Sequence, residues 1–182
     1  MKLNGNKIYL QPVSLKYVDV YRKWVHDKDV IRYTTINPPT REEQIKWIKE
    51  RETSGVEEVF SIFLKKDDTI IGNVGCHNLD NPDNNFVLGI IIGEKEYWGE
   101  GYGTDAFKTV IRYMFEEKDA NMVSLDVFVG NKSAQRVYEK CGMKEIKKIT
   151  KTNEREKKEV ECILMQVTRE EYENLDYAAP FE

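Results

Sequence analysis

The sequence predicts an α+β fold: one mixed, mostly antiparallel sheet of seven strands, with about four helices on its two faces. Three observations carry that prediction. Val59 to Lys65 and Thr69 to Gly75 are β-rich runs joined by the polar turn Lys66-Asp67-Asp68, a hairpin signature. Phe86 to Gly93 and Met122 to Val129 are strand-like runs separated by a helical pattern, so one strand–helix–strand crossover sits mid-chain. Lys144 to Thr152 and Lys157 to Thr168 flank a second charged turn. Hairpins on both sides of one crossover give a mixed sheet in the order β-α-α-β-β-β-α-β-α-β-β.

Taken in order, Lys7 to Pro12 alternates Ile8 and Leu10 and reads as the first strand. Ser14 can cap a helix reaching about Val25, with Leu15, Val18 and Tyr21 on one face. His26 to Asp29 ends it, and Val30 to Thr40, with Pro38-Pro39, is a loop or broken helix. Thr40-Arg-Glu-Glu43 fits a capping box and starts a second helix, whose apolar residues are Ile45, Trp47 and Ile48. It ends near Ser54-Gly55. After the first hairpin, His77 to Asn85 is a polar loop. The helix from Tyr102 to about Glu117 puts Phe107, Val110, Ile111 and Met114 on one face. A short helix from Ser133 to Cys141 is stopped by Gly142. The acidic tail from Arg169 is expected to be partly loose. Residues 1–182 are expected to form a single domain without repeats or linkers.

The composition narrows the class. The 182 residues suffice for one core, and 40% hydrophobic with 33% charged residues suit a folded, soluble chain. No apolar run approaches the roughly 20 residues of a membrane span. Met1 to Lys7 lacks the apolar core of a signal peptide, so the expected location is the cytoplasm. Cys76, Cys141 and Cys162 are odd in number and form no Cys-x-x-Cys pair. They read as reduced core cysteines, with no disulfide and no metal site. A net charge of −4 gives no sign of a nucleic-acid partner.

The chemistry is concentrated in Glu96 to Ala106, Glu-Tyr-Trp-Gly-Glu-Gly-Tyr-Gly-Thr-Asp-Ala. Gly99, Gly101 and Gly103 sit where a strand hands over to a helix. A backbone without Cβ atoms can approach a ligand closely there. The free N–H groups and dipole of a helix start favour a phosphate or pyrophosphate. A Walker loop is absent. Gly101-Tyr-Gly103-Thr-Asp-Ala106 fits a dinucleotide fingerprint, but too few residues follow for the repeated βαβ units of that fold. The third reading is a coenzyme A pyrophosphate loop. In it the chain resembles the GNAT superfamily of N-acetyltransferases, in particular the branch with ribosomal-protein (N-terminal alanine or serine) and spermidine N-acetyltransferases. That superfamily carries Gln/Arg-x-x-Gly-x-Gly/Ala at this junction; here both glycines match and Trp98 replaces the leading Gln/Arg.

A second motif strengthens the resemblance. Asn131-Lys-Ser-Ala134-Gln-Arg-Val-Tyr138-Glu-Lys-Cys-Gly142-Met143 is similar to the family's Asn-x-x-Ala/Ser-x-x-x-Tyr-x-x-x-Gly-Phe. Spacings of three and four put Asn131, Ala134 and Tyr138 on one helix face. Asn offers a donor and an acceptor to an amide-bearing chain, Ala leaves room for it, and Tyr presents a phenol at the far end.

The resemblance implies direct transfer of an acetyl group from acetyl-CoA to a primary amine: a protein N-terminus, a polyamine or a small amine. It implies Tyr138 as general acid beside the sulfur. It implies that backbone groups of Ile90, Ile91 and Ile92 pair with pantetheine, and that Asn131, Ala134 and Tyr138 line it. Tyr97, Trp98, Gly99, Glu100, Gly101, Tyr102, Gly103 and Thr104 would wrap the pyrophosphate. Acceptor recognition falls to the segments holding Tyr33 and His77 and to the Thr150 to Lys157 turn. Asp80, Asp83 and Glu154 could receive a cation. Relatives in this branch have a Glu where Val87 stands, which leaves His77 as a candidate base or relay. Glu100 and Asp105 are expected to answer to the helix start. Two alternatives stay open: a non-catalytic acyl-CoA sensor and a nicotinamide-nucleotide oxidoreductase. Monomer and homodimer are equally compatible with the sequence.

Overall fold

A computed structural model describes residues 1–177 of the chain. The strands are β1 (Leu3–Asn4), β2 (Ile8–Pro12), β3 (Glu57–Leu64), β4 (Ile70–His77), β5 (Asn85–Ile92), β6 (Met122–Phe128), β7 (Lys144–Asn153) and β8 (Lys158–Thr168). The helices are α1 (Val18–His26), α2 (Arg41–Glu52), α3 (Tyr102–Glu116), α4 (Lys132–Lys140) and α5 (Arg169–Glu173). Among the described residues the eight strands form one sheet in the order β1-β2-β3-β4-β5-β6-β8-β7. Neighbours are antiparallel except β5 and β6, which are parallel.

Three expectations change. The sheet gains a strand, because Leu3 pairs with Leu10 and Asn4 with Tyr9. Ser14 caps only a short 3₁₀ turn, Leu15–Tyr17, and α1 starts at Val18; Leu15 is exposed, and Trp24 fills the core position instead. The tail, expected to be partly loose, is docked through Tyr177, and residues 178–182 lie outside the described residues. Thr168 and Glu171 form a capping box for α5, and Tyr172, 1% exposed, stacks on Phe115 with centroids 4.4 Å apart.

The sheet separates two cores. On one face α3 buries Phe107, Val110, Ile111 and Met114 against Phe60, Ile62, Leu64, Val74 and Leu88. On the other, α1 and α2 bury Val18, Tyr21, Trp24 and Ile48 against Val13 and Val59. Burial of this apolar surface is the main favourable term.

Polar clamps fix the elements that border the site. Asp105, in the first turn of α3, accepts the backbone N–H groups of Asn6, Lys7 and Ile8 at 2.6–3.1 Å. It therefore ties the helix start to the β1–β2 turn. Glu94, just after β5, accepts from Lys23 Nζ and Trp24 Nε1 at 2.8 Å, tying α1 to the end of β5. Arg155, in the β7–β8 turn, donates to the carbonyls of Ile31 and Ile36, and Asn153 Nδ2 donates to that of Thr34. The α1–α2 loop and the β7–β8 turn are thus one assembly.

Tyr172→Ala should destabilise the protein by about 3–5 kcal/mol, the range for truncating a large buried aromatic. Urea unfolding measures this; a loss under about 1 kcal/mol would mean the tail is not part of the core.

Candidate active site

The site begins with the sheet itself. β5 pairs with β6 only at Asn85–Met122, Phe86–Val123 and Val87–Ser124. Beyond Val87 the strands separate, and a notch opens towards the C-terminal ends of both. Strand residues direct their N–H and C=O to alternate sides. Gly93 N–H bonds to the Ile71 carbonyl, so Gly89 and Ile91 also face β4, where they pair with Gly75 and Asn73. Ile90 therefore turns both its N–H and its C=O into the notch. The Ile92 carbonyl faces the same way and accepts the Trp98 indole N–H at 2.8 Å. The expected trio Ile90, Ile91 and Ile92 is thereby divided: the Ile91 amide belongs to the sheet, while Ile90 keeps its polar groups uncommitted.

The glycine turn lies at the mouth. Gly99 and Gly101 have φ of +81° and +84°, the left-handed region that favours glycine. Cβ atoms added there would meet nothing within 4 Å, so the turn is not plugged. Gly101 is the N-cap of α3, and no side chain caps it. The first intrahelical bond runs from Asp105 N–H to the Gly101 carbonyl, leaving the N–H groups of Tyr102, Gly103 and Thr104 without an intrahelical acceptor. Tyr97 packs edge-on against Tyr102 at 5.7 Å, Trp98 is 44% exposed, and the Glu100 carbonyl receives Lys7 Nζ. Glu100 and Asp105 do not cap the helix; Asp105 serves the β1–β2 turn instead.

β6 leads into α4. Asn131 caps α4 by accepting from Ala134 N–H through Oδ1 at 3.2 Å. Gln135, which is buried, donates to the carbonyls of Phe128 and Val129 and fixes α4 on the end of β6. Ala134 is half-buried. Tyr138 belongs to the α3-side core, is 7% exposed, and lies 4.8 Å from the Phe107 ring. Its hydroxyl makes no hydrogen bond among the described residues, yet it is not one of the fully sealed polar atoms. Burial, aided by the neighbouring Cys141, raises the Tyr138 pKa well above the ordinary tyrosine value. The phenol is held neutral and uncommitted.

The opposite face carries the residues expected to meet the acceptor. His77 Nδ1 lies 2.9 Å from Glu57 Oε1, and Glu57 also pairs with Arg51. Asp126, on the β6 wall of the notch, pairs with Lys151 of β7. Tyr33 packs edge-on against Phe128, next to Gly130. Cys76, Cys141 and Cys162 are buried free thiols, and burial raises the pKa of each, so none offers a thiolate.

The family model described as an acetyltransferase (GNAT) domain matches residues 7–144. The chain belongs to the GNAT acetyltransferase family. A Bacillus licheniformis protein named "uncharacterized N-acetyltransferase p20" is 27% identical over 129 residues, 69% of this chain and 72% of that protein. The Bacillus subtilis protein named ribosomal N-acetyltransferase YdaF is 35% identical over 82 residues, 45% of this chain and 44% of that one. In fold, the chain matches a spermidine N-acetyltransferase from Vibrio cholerae in complex with CoA and spermine. That match has a TM-score of 0.84 and 18% identity, and covers 92% of this chain and 99% of that one. A GNAT acetyltransferase from Bacillus anthracis gives 0.83 at 16% identity, covering 93% and 99%.

Within this GNAT fold the two sequence motifs meet through α3 and α4, where Cys141 Sγ lies 3.8 Å from the Thr104 carbonyl. The segments containing Tyr33 and Asn153 are joined by the Arg155 clamp. Asp80, Asp83 and Glu154 make no ion pair among the described residues, whereas Asp126, Glu57, Arg51 and Asn73 were not legible as site residues. Asn73 is notable because its Nδ2 is buried without a partner, one position from Gly75. No local pattern marks these four: strand pairing sets Glu57 beside His77 and Asn73 beside Ile91, and Arg51 reaches Glu57 from α2 by an ion pair.

The neutral Tyr138 phenol has a spectroscopic consequence. Tyr138→Phe should leave the 295 nm phenolate titration of the folded protein unchanged up to about pH 11. The unfolded chain ionises this tyrosine first, near pH 10, so stability falls above that pH. A titration step near pH 10 that disappears in the variant would contradict the buried environment.

Proposed function

We propose that this chain moves an acetyl group from acetyl-CoA to a primary amine. A peptide or protein α-amine is the favoured acceptor; polyamines and small amines complete the class. Three features support the reading: a glycine turn that no side chain caps, an Ile90 backbone left without strand partners beside the β5–β6 gap, and a Tyr138 phenol without a hydrogen-bond partner among the described residues. The N–H groups at the start of α3 suit a diphosphate, and Ile90 offers an N–H and a C=O to the amides of a pantetheine chain. Asn131 Nδ2 and the space over Ala134 suit the same chain. Acetyl-CoA, when bound, supplies an acyl thioester. Tyr138 holds a proton on its hydroxyl that can go to the departing sulfur.

The acceptor preference follows from basicity. Val87 brings no carboxylate to the vertex of the notch. An α-amine, with pKa about 7.7–8.0, is already partly neutral at pH 7, whereas a lysine amine near 10.4 is not. Asp126 suits a cationic acceptor, which would compete with Lys151. The Vibrio cholerae neighbour was solved with spermine, a polyamine.

Acetyl-CoA at about 100 times its Kd should stabilise the fold by about 2.7 kcal/mol, and NADH should not. CoA release should be faster with an α-amine peptide than with a lysine peptide at pH 7. Tyr138→Phe should lower kcat by about 100-fold or more, with little change in acetyl-CoA affinity. Unchanged turnover would remove Tyr138 from the chemistry, and a lysine preference would overturn the acceptor assignment. Stabilisation by acetyl-CoA without CoA release to any amine would identify a binding module instead.

A further inference from the structure

On the transferase reading above, we propose that His77, held by Glu57 and backed by Arg51, takes the proton from the acceptor amine. The starting point is strand register. Glu57 of β3, His77 of β4 and Val87 of β5 lie side by side, as do Val59, Gly75 and Gly89. Val59 packs in the α1–α2 core, so all six residues belong to that face of the sheet. Val87 is the last residue of β5 paired with β6, and Gly89 is the next position on the same face, at the open edge.

The Gly75–Gly89 pair carries no side chains, and His77 uses the space. A Cβ built on Gly75 would lie 2.9 Å from His77 Nε2, so the imidazole leans along β4 over Gly75. A Cβ built on Gly89 would meet nothing within 4 Å. The His77 Nε2 atom thus stands over a bare floor, about one strand spacing, roughly 5 Å, from the edge of the notch. The His77 side chain is 37% exposed, so a ligand can reach it.

The partners fix which nitrogen is available. Glu57 accepts at Oε1, 2.9 Å from His77 Nδ1, while its other oxygen pairs with Arg51. A carboxylate paired to a guanidinium accepts hydrogen bonds and has none to give. Nδ1 must therefore carry the proton in the neutral ring, which leaves the Nε2 lone pair towards the floor. Arg51 is itself held over the Trp47 ring at 4.8 Å and by Glu50. Of the neighbouring charges, Asp126 of β6 shares this face across the notch and is paired with Lys151. Glu58 points to the α3 face, where it bonds Tyr113 and Lys118. β5 brings Val87 and Gly89, without charge, and β4 brings Asn73 and Gly75.

The step balances within the groups named. The ammonium of the acceptor gives a proton to His77 Nε2. The nitrogen lone pair forms the N–C bond to the acetyl carbon as the C–S bond breaks. The electron pair of that bond leaves on sulfur, which takes the Tyr138 proton. Solvent then takes the second proton from the new amide nitrogen and the proton held by His77, and restores that of Tyr138. His77 and Tyr138 lie on opposite faces of the sheet, so each can act without meeting the other. Glu57 is a positioning residue.

The test compares the full-length wild type with His77→Gln and Glu57→Gln. In the absence of ligand, imidazole ¹⁵N NMR should show His77 protonated on Nδ1, and Glu57→Gln should weaken that tautomer. The chain has two histidines, so His77→Gln assigns the signals. With acetyl-CoA and an α-amine peptide, His77→Gln should lower kcat at least about 100-fold. It should also abolish the acidic limb of the pH–rate profile and leave acetyl-CoA affinity within about twofold. Glu57→Gln should shift that limb and lower kcat about 10-fold. The assignment is overturned by an Nε2-protonated ring, by a kcat of His77→Gln within threefold of wild type, or by an unchanged limb. Should His77→Gln not fold, the tautomer in wild type and the limb in Glu57→Gln decide the matter alone. If wild type releases no CoA to any amine, the transferase reading itself fails and takes this assignment with it.

Discussion

The structure depends on one interruption of hydrogen bonding. β5 and β6 are parallel neighbours in the middle of an eight-stranded sheet, yet they pair only through Val87 and Ser124. Unpaired strand edges normally occur at the margin of a sheet, because a backbone group without a partner away from water costs about 1–3 kcal/mol. Here two such edges face each other internally. Each strand can tolerate this because its other edge is secured: β5 by β4 through Ile92, and β6 by β8 through Phe128. The fold thereby stores a set of oriented polar groups that a peptide-like ligand can satisfy.

The surroundings keep the gap open and define its ends. Asp105 holds α3 against the β1–β2 turn, so the glycine turn before it keeps its N–H groups at the mouth. Glu94 holds the end of β5 against α1. Gln135 fixes the start of α4 on β6. The Arg155 clamp bridges the α1–α2 loop and the β7–β8 turn. The Asp105, Glu94, Gln135 and Arg155 contacts lie at 2.6–3.2 Å, and each gives a polar group a partner. The result is a gap with two different faces. The α3 face is apolar and keeps the Tyr138 phenol neutral. The α1–α2 face is lined by polar and charged side chains, including His77, Glu57 and Asp126.

Much of this was legible in the sequence where the signal is local. The Lys66-Asp67-Asp68 turn, the Thr40–Glu43 capping box and the Gly142 stop all sit where their chemistry placed them, with Asp68 and Gly142 at positive φ. The same tetrapeptide, Thr-Arg-Glu-Glu, recurs at Thr168 to Glu171 and starts α5 in the same way. An acidic composition concealed it in the tail, although the capping signal was present. β1 is two residues long and shows no periodicity of its own; it exists because Leu10 and Tyr9 offer an edge.

The site divides along the same line. Its glycines and the Asn131–Tyr138 helix are contiguous motifs. The separation of Ile90 from Ile91, the Glu57–His77 pair and the approach of Asp126 to the notch depend on pairings between strands far apart in sequence. Side-chain spacing within one segment cannot encode them. Trp98 illustrates the intermediate case: its place in the motif was evident, while its bond to the Ile92 carbonyl requires the strand to end where it does.

Amide hydrogen exchange at Ile90 tests the central feature most directly. Its N–H is strand-bound in neighbourhood yet unpaired, so it should exchange quickly in the ligand-free protein while the N–H of Ile91, paired to β4, is protected. Saturating CoA should slow Ile90 exchange by at least tenfold and leave Ile91 nearly unchanged. Equal protection of Ile90 and Ile91 without ligand, or an Ile90 rate indifferent to CoA, would contradict an open, ligand-ready notch between β5 and β6.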